Sequence, residues 1–110
     1  RRHPVTRRNS FHNGIDIMSR MGTPIRPARE GMVSFTGWMD GYGQTVIVQH
    51  WDGYVTWYGH CSAIKVKRGD WVNKKDVIAL VGSTGRSTGP HLHFMVMRHG
   101  RMIDPLLFVW

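Results

Sequence analysis

Glycine, spaced fairly evenly along the whole chain, is the feature that most limits how this sequence can fold. The 110 residues contain 13 glycines, and no helix-length window shows a convincing helical hydrophobic period without one. A glycine inside a helix costs about 1 kcal/mol relative to alanine, so long helices are disfavoured. Short segments separated by glycine turns are typical of β-structure.

Several of these segments have the composition of β-strands. Val46 and Val48 alternate with Thr45 and Gln49, which is the period of two expected for a strand. Asp52-Gly53 predicts a hairpin turn. The predicted strands are residues 31–38, 44–50, 54–58, 77–81 and 91–98, with 102–103 pairing nearby. We therefore expect an all-β domain of small antiparallel sheets with little or no helix.

Composition indicates one globular domain over residues 1–110. The chain is 41% hydrophobic and 20% charged, which is far too few charges for a disordered segment, and its length suffices for one modest core. No apolar run approaches the about 18 residues that a membrane span needs. Because the chain opens on Arg1 rather than on methionine, we expect a mature product or an excised domain.

The net charge of +8 predicts affinity for a polyanion such as nucleic acid, anionic membrane or an acidic cell-envelope polymer. The basic residues are dispersed, without the interleaved aromatic stripe that follows a single strand of nucleic acid. Nucleic acid is therefore not expected as a partner. Cys61 is the only cysteine, so neither an internal disulfide nor a cysteine-built zinc site can form.

The sequence His91-Leu92-His93 is the first candidate for chemistry among seven histidines. Residues i and i+2 of a strand point to the same face. The two imidazoles can both bind a metal, or one can bind while the other faces a substrate. The alternative is a solvated pair on an open sheet face. We assign His3, His50 and His99 to structure or solvent.

His12 and Asp16 form a second pair, separated by Asn13, Gly14 and Ile15. In a fully extended chain they would lie roughly 13 Å apart, too far to share one ion. A bend at Asn13-Gly14 would bring them together, because both residue types tolerate left-handed backbone conformations. The alternative is a turn that carries two ordinary polar residues.

Taken together, the two pairs supply the histidines and the carboxylate that usually hold a catalytic zinc, with an open position for water. Such a site needs a group that moves protons. Glu30 is the only glutamate and lies at a turn beside Gly31, so it is a poor candidate. A histidine or an aspartate must then serve, and both His60 and His91 are available.

At this point the motifs resemble those of the zinc metallopeptidases of the lysostaphin/LytM type, peptidase family M23. The family pattern has a His-x-x-x-Asp element, a later His-x-His element and a histidine between them. Further similarity lies in Gly22-Thr-Pro24-Ile, in Gly82-Ser-Thr-Gly-Arg-Ser-Thr-Gly-Pro-His-Leu-His-Phe94 and in Asp104-Pro105. Nearly the whole chain is covered.

The resemblance implies a compact antiparallel LytM/M23-like fold, a duplicated-hybrid-motif-type β sandwich. It implies one zinc ion per domain, held by His12, Asp16 and His93, with His60 and His91 as the catalytic pair. It further implies an endopeptidase acting on peptidoglycan peptides in the bacterial cell envelope, as the catalytic part of a longer envelope protein, where the basic charge would favour anionic envelope polymers. We expect the substrate-binding residues to be Tyr42, Tyr58, Ser87 and Thr88.

Two positions depart from the family pattern. Met95 stands where glutamate or glutamine is common. By alternation it shares a face with His91 and His93, which allows it to touch the groove wall, and we expect altered fine structure rather than lost activity. Cys61 replaces an apolar residue and is expected to be a buried hydrophobe, with a fourth zinc ligand or a redox-sensitive thiol as the alternatives. The alternative function is that of a catalytically silent relative that binds the cell wall and regulates another hydrolase. Such relatives lack part of the five-residue set, which this chain keeps.

Overall fold

The computed structural model describes residues 5–6, 14–85 and 89–104. Its ten strands are β1 (Val5–Thr6), β2 (Ile15–Met18), β3 (Pro24–Ile25), β4 (Gly31–Met39), β5 (Gly43–Gln49), β6 (Tyr54–Ile64), β7 (Trp71–Val72), β8 (Ala79–Val81), β9 (His91–Arg98) and β10 (Arg101–Ile103). These ranges contain no helix, so none there could cross a membrane.

All strand pairs are antiparallel, and they form one sheet in the order β1-β2-β9-β6-β5-β4-β7. Strand β10 pairs with β9, and β8 pairs with both β3 and β6. Strand β6 changes partners along its length: its first part lies between β5 and β9, and its last residues pair with β8 after a bulge. The predicted all-β, antiparallel class is confirmed.

The predicted hairpin turn at Asp52-Gly53 is present. Both residues have a positive φ, 58° and 78°, as a two-residue turn of the type favoured by Asp-Gly requires. The turn joins β5 to β6, whose residues pair from Gln49 and Val55 onward. Because β5 pairs with β4 on its other side, it is an interior strand.

The core is formed mostly by side chains of the strands and consists mainly of β-branched and aromatic residues, which pack well on a pleated surface. Both faces of β5 are covered, since Thr45 and Ile47 are buried as well as Val46 and Val48. Thr45 tolerates this position because its hydroxyl donates a hydrogen bond to Gly43 O at 3.0 Å. The rigid centre of the sheet is therefore β9-β6-β5, and the candidate site lies on it.

Candidate active site

Strands β2 and β9 place a carboxylate beside two imidazoles. Asp16 and His93 are opposite each other in the strand pairing, and His93 Nδ1 donates a hydrogen bond to Asp16 Oδ1 at 2.9 Å. His91 Nε2 lies 3.4 Å from the same oxygen. All three side chains are largely buried, so water screens the interactions between their polar atoms only weakly. Gly14 has a φ of 85°, the left-handed conformation that the predicted bend at Asn13-Gly14 needs there, and Asn13 lies outside the described residues.

His91 is oriented by the segment that precedes it. Its Nδ1 lies 2.8 Å from Gly89 O, and because a carbonyl can only accept, Nδ1 carries the hydrogen. The nitrogen left to face Asp16 is then Nε2. His91 and His93 lie on one face of β9, as their i, i+2 spacing predicts.

His60 completes the group from strand β6. Its ring centroid is 4.7 Å from that of His91 and 5.9 Å from that of His93. Its Nδ1 donates to Thr84 O at 2.6 Å, so the neutral ring keeps an unprotonated Nε2. Burial lowers the pKa of His60 below 6.5, although the bond to Thr84 acts in the opposite direction.

The backbone of His60 is in the left-handed region, with a φ of 61°. This conformation is uncommon for a residue with a Cβ and costs on the order of 1–3 kcal/mol. The His60 N–H donates to Tyr42 O at 2.6 Å, which ties the strained residue to the turn between β4 and β5. Such strain is frequent at functional sites, where the surroundings over-determine the conformation.

Aromatic and apolar residues surround His93. The half-buried Tyr42 ring lies 5.3 Å from the His93 ring, and Trp57 approaches Tyr42 edge-on at 6.2 Å. Met95 is buried rather than exposed on a groove wall, because Gly14 lies directly over it: an added Cβ there would be 2.5 Å from Met95 Cγ. Met95 therefore packs beneath Gly14 rather than on an exposed surface.

Tyr58 does not line the site. Its side chain is only 1% exposed and packs against Phe94 in the core. Its hydroxyl donates to Thr56 Oγ1 at 2.8 Å and accepts from Ala28 N at 2.9 Å. The predicted substrate-binding role of Tyr58 is contradicted by this burial, whereas Tyr42 lies beside the site.

The remaining predicted residues are His12, Ser87, Thr88 and Cys61. His12, Ser87 and Thr88 lie outside the described residues. Cys61 is buried, and burial raises the pKa of its thiol to about 12, so it behaves as the expected hydrophobe. The alternative of Cys61 as a metal or redox thiol finds no support in that environment.

The structure also brings in Thr84, which no side-chain pattern predicted. Its backbone oxygen is the partner of His60, and its hydroxyl bonds with Cys61 O and Gln44 N. A contact through a carbonyl leaves no signature in the residue type. The only sequence signal was the run of small residues between Gly82 and Gly89.

Within the described ranges alone, no three histidine, cysteine, aspartate or glutamate side chains form a complete metal-binding group. The donors that do meet are a carboxylate oxygen and imidazole nitrogens, which are ligand types that zinc prefers. His93 Nδ1 and Asp16 Oδ1 face each other at 2.9 Å, so both could contact the same ion. The set therefore fits a zinc site that a further ligand from outside these ranges would complete.

Comparison with known proteins agrees with this architecture. The family model of Peptidase family M23 matches residues 10–105. The chain is 42% identical over 106 residues to DD-carboxypeptidase/endopeptidase Mpg of Neisseria meningitidis, covering 96% of this chain and 24% of that protein. It is also 42% identical over 106 residues to the peptidoglycan DD-endopeptidase ShyA of Vibrio cholerae, covering 96% and 25%. The chain thus spans about a quarter of these relatives.

Solved structures show the same fold. The catalytic domain of lysostaphin from Staphylococcus simulans superposes with a TM-score of 0.84 at 34% identity, covering 97% of this chain and 85% of that one. A zinc-containing peptidase from Vibrio cholerae superposes with a TM-score of 0.80 at 39% identity, covering 84% and 29%. From the motif set, the geometry and these matches together, the chain belongs to peptidase family M23.

Proposed function

We propose that this chain is a zinc-dependent endopeptidase that hydrolyses peptide cross-links or bridges of bacterial peptidoglycan in the cell envelope. The observation that carries the proposal is the convergence of Asp16, His91, His93 and His60 on one face of the sheet. The similarity to ShyA, a peptidoglycan DD-endopeptidase, supports peptidoglycan as the substrate class, and the similarity to Mpg, a DD-carboxypeptidase/endopeptidase, supports peptide-bond hydrolysis.

His12, Asp16 and His93 would hold the zinc. Asp16 and His93 are already adjacent, with 2.9 Å between Oδ1 and Nδ1, and the bend at Gly14 turns the chain next to Asp16. When bound, zinc supplies Lewis acidity and lowers the pKa of water to about 7, so that a nucleophile is available at neutral pH.

His60 would take the proton from the attacking water. Its Nδ1 is committed to Thr84 O, so Nε2 is the nitrogen that can accept a proton and later return it to the leaving amine. Its low exposure keeps bulk water from competing for that lone pair. The lowered pKa of His60 keeps the ring neutral near pH 7 and therefore able to act as a base.

His91 would stabilise the negative charge that develops on the carbonyl oxygen. Its Nδ1–H is held by Gly89 O, which aims Nε2 into the site on the side of Asp16. Nε2 would donate to the developing charge from the imidazolium form, in which both ring nitrogens carry a hydrogen. A donor fixed in advance toward the developing charge needs no reorganisation during the reaction. Removing one such donor typically costs about 100-fold to 1000-fold in kcat.

Substrate recognition would involve Tyr42 together with Ser87 and Thr88. Tyr42 is supported by its contact with the His93 ring. The net charge of +8 would hold the enzyme on anionic envelope polymers by a long-range interaction that salt weakens.

The test is mass spectrometry of fragments released from defined cross-linked and glycine-bridged peptidoglycans by the purified protein. We expect new amino termini at peptide bonds, loss of cleavage with a chelator, and recovery on adding zinc. His60→Ala and His91→Ala should each keep the metal and lose cleavage. His99→Asn is the matched control, since His99 is exposed on the turn after β9 and Asn tolerates its positive φ of 51°.

Binding to peptidoglycan without fragments from any substrate would contradict the proposal and favour the silent wall-binding regulator. Full turnover by His60→Ala or His91→Ala would contradict the roles assigned to these histidines. Cleavage that a chelator leaves unchanged would refute the metal dependence.

A further inference from the structure

Thr84, in the segment after β8, is hydrogen-bonded to two strands, β5 and β6. Its Oγ1 donates to Cys61 O at 2.7 Å and accepts from Gln44 N at 3.1 Å, which joins it to β6 and β5. Its own carbonyl accepts from His60 Nδ1 at 2.6 Å. Thr84 thus contacts the His60 ring through its carbonyl, and its own hydroxyl is hydrogen-bonded to both strands.

Two glycines, Gly43 and Gly85, allow the backbone at Thr84 to lie close to β5, because neither has a Cβ. A Cβ on Gly43 would lie 2.4 Å from the Thr84 carbonyl carbon, and a Cβ on Gly85 would lie 2.3 Å from Gly43 N. Both have positive φ, 68° and 76°. Side chains are thereby excluded at both positions, and the loop approaches the strand more closely than other residues would permit.

His60 depends on such support because its own backbone is strained, as described above. Its N–H is fixed by Tyr42 O, but that bond sets the main chain and not the ring. The ring has two neutral tautomers, and the partner of one nitrogen decides which nitrogen carries the proton. His60 Nδ1 donates to Thr84 O, so this carbonyl is the partner that sets the tautomer.

We propose that Thr84 is a positioning residue: its hydroxyl fixes its own carbonyl, and that carbonyl keeps His60 in the tautomer with a hydrogen on Nδ1 and a free Nε2. The expected change in turnover rests on the peptidase function proposed above. The tautomer itself can be measured without turnover.

The test compares Thr84→Val, which removes the hydroxyl at nearly constant shape, with Thr84→Ser, which keeps it. Long-range nitrogen–proton NMR correlations report the His60 tautomer, and steady-state kinetics on a cross-linked peptide report kcat and KM. In Thr84→Val we expect a mixed tautomer, unchanged zinc content and a kcat lowered by about tenfold or more, with KM within about twofold. Thr84→Ser should restore both the tautomer and kcat.

Ser62→Ala is the matched control, because Ser62 also donates a hydroxyl hydrogen bond across the β6–β8 pair, to Leu80 O at 3.4 Å, but holds no catalytic group. It should keep the tautomer and kcat. Should Thr84→Val yield no folded protein, Thr84→Ala removes the same hydroxyl with a smaller side chain and should shift the same tautomer signal.

A His60 that stays protonated on Nδ1 in both Thr84→Val and Thr84→Ala would overturn the proposal, as would equal losses in Thr84→Val and Thr84→Ser. A wild-type protein that cleaves no peptidoglycan would instead refute the proposed function. The tautomer shift in Thr84→Val would then still support the positioning role, so the two failures are distinguishable.

Discussion

At the scale of single residues, Asp16 is the group on which two histidines converge. It is 5% exposed and touches His93 and His91 through the same oxygen. Asp16→Ala removes the anionic ligand, so we expect the purified variant to lose its zinc, measured by elemental analysis. His99→Asn should retain it. Stoichiometric zinc in Asp16→Ala would refute the assignment of this ligand.

Met95 lies beside two buried nitrogens that have no partner among the described residues, Trp57 Nε1 and His93 Nε2. Trp57 is opposite Met95 in the strand pairing, and Gly14, which covers Met95, is close to His93 Nε2. Met95→Gln would offer an acceptor to a metal-ligating imidazole, and such partners tune metal affinity.

We therefore expect Met95→Gln to raise zinc affinity by about tenfold in a competitive chelator titration. Activity of Met95→Gln or Met95→Glu should stay within about tenfold of wild type, about 1.4 kcal/mol in the barrier. Met97→Gln, on the same strand face, is the control and should leave zinc affinity unchanged. A weaker zinc affinity in Met95→Gln would contradict this account of the site.

The individual site residues differed in how well the sequence predicts them. The i, i+2 spacing of His91 and His93 carries real geometric information, because a strand fixes both on one face. Tyr58 was placed wrongly because an aromatic residue in a strand carries no mark of which face it occupies. Thr84 was missed because its carbonyl, and not its side chain, contacts His60.

At the scale of elements, a chain of hydrogen bonds joins β5 and β6 to the segment before β4. His50 Nδ1 donates to Glu30 O and His50 Nε2 accepts from Thr56 Oγ1, both at 2.8 Å. Thr56 in turn accepts from Tyr58, whose oxygen accepts from Ala28 N. With His50 neutral, every donor in this chain has an acceptor.

Tyr58→Phe tests whether Tyr58 acts in this network or on a substrate. The variant leaves Thr56 without one partner and the Ala28 N–H without an acceptor, so we expect unfolding to become easier by about 1–3 kcal/mol. The measurement is chemical denaturation, with kcat/KM determined in parallel. Because the ring stays buried in both forms, kcat/KM should not change. Lost activity at unchanged stability would restore the substrate-binding role.

The same network predicts a pH dependence of stability. Burial is the largest cause that lowers the pKa of His50 below 6.5, so the unfolded chain binds a proton more readily than the folded one. Stability is then full above pH 6.5 and is lost as the pH falls toward the lower folded pKa. The slope is at most about 1.4 kcal/mol per pH unit for one group.

The measurement is the free energy of unfolding from denaturant titrations at about pH 8 and about pH 5 in the wild type and His50→Asn. Other histidines contribute to both proteins, so the difference between the two slopes isolates His50. We expect a shallower slope in His50→Asn. Equal slopes would show that His50 binds its proton equally well in the folded and unfolded chain.

Element prediction succeeded where a strand is long enough to show a period. Strands β4, β5 and β9 match the predicted ranges within a residue or two. Strands β3 and β7 contain two residues each, too few to show any alternation. Strand β6 continues to Ile64, beyond the predicted end at 58, because the left-handed His60 and a later bulge let one strand change partners.

At the scale of the whole molecule, the regular spacing of the glycines was enough to indicate the class of fold, but not the order of the strands. That order depends on β6 pairing with β5, β8 and β9, which are contacts between residues far apart in the chain. The five-residue motif set was specific for the family, and the match over residues 10–105 confirms it. Charge, in contrast, indicated only a polyanionic partner.

The central claim is that this molecule builds a hydrolytic site around one zinc ion. The most direct measurement is an anomalous difference map from crystals of the active protein, with data collected on both sides of the zinc absorption edge. The account predicts one strong peak within bonding distance of Asp16 and His93 Nδ1, with His12 as a further ligand and His60 and His91 beside it. No zinc peak at Asp16 and His93, or a peak only elsewhere, would contradict it.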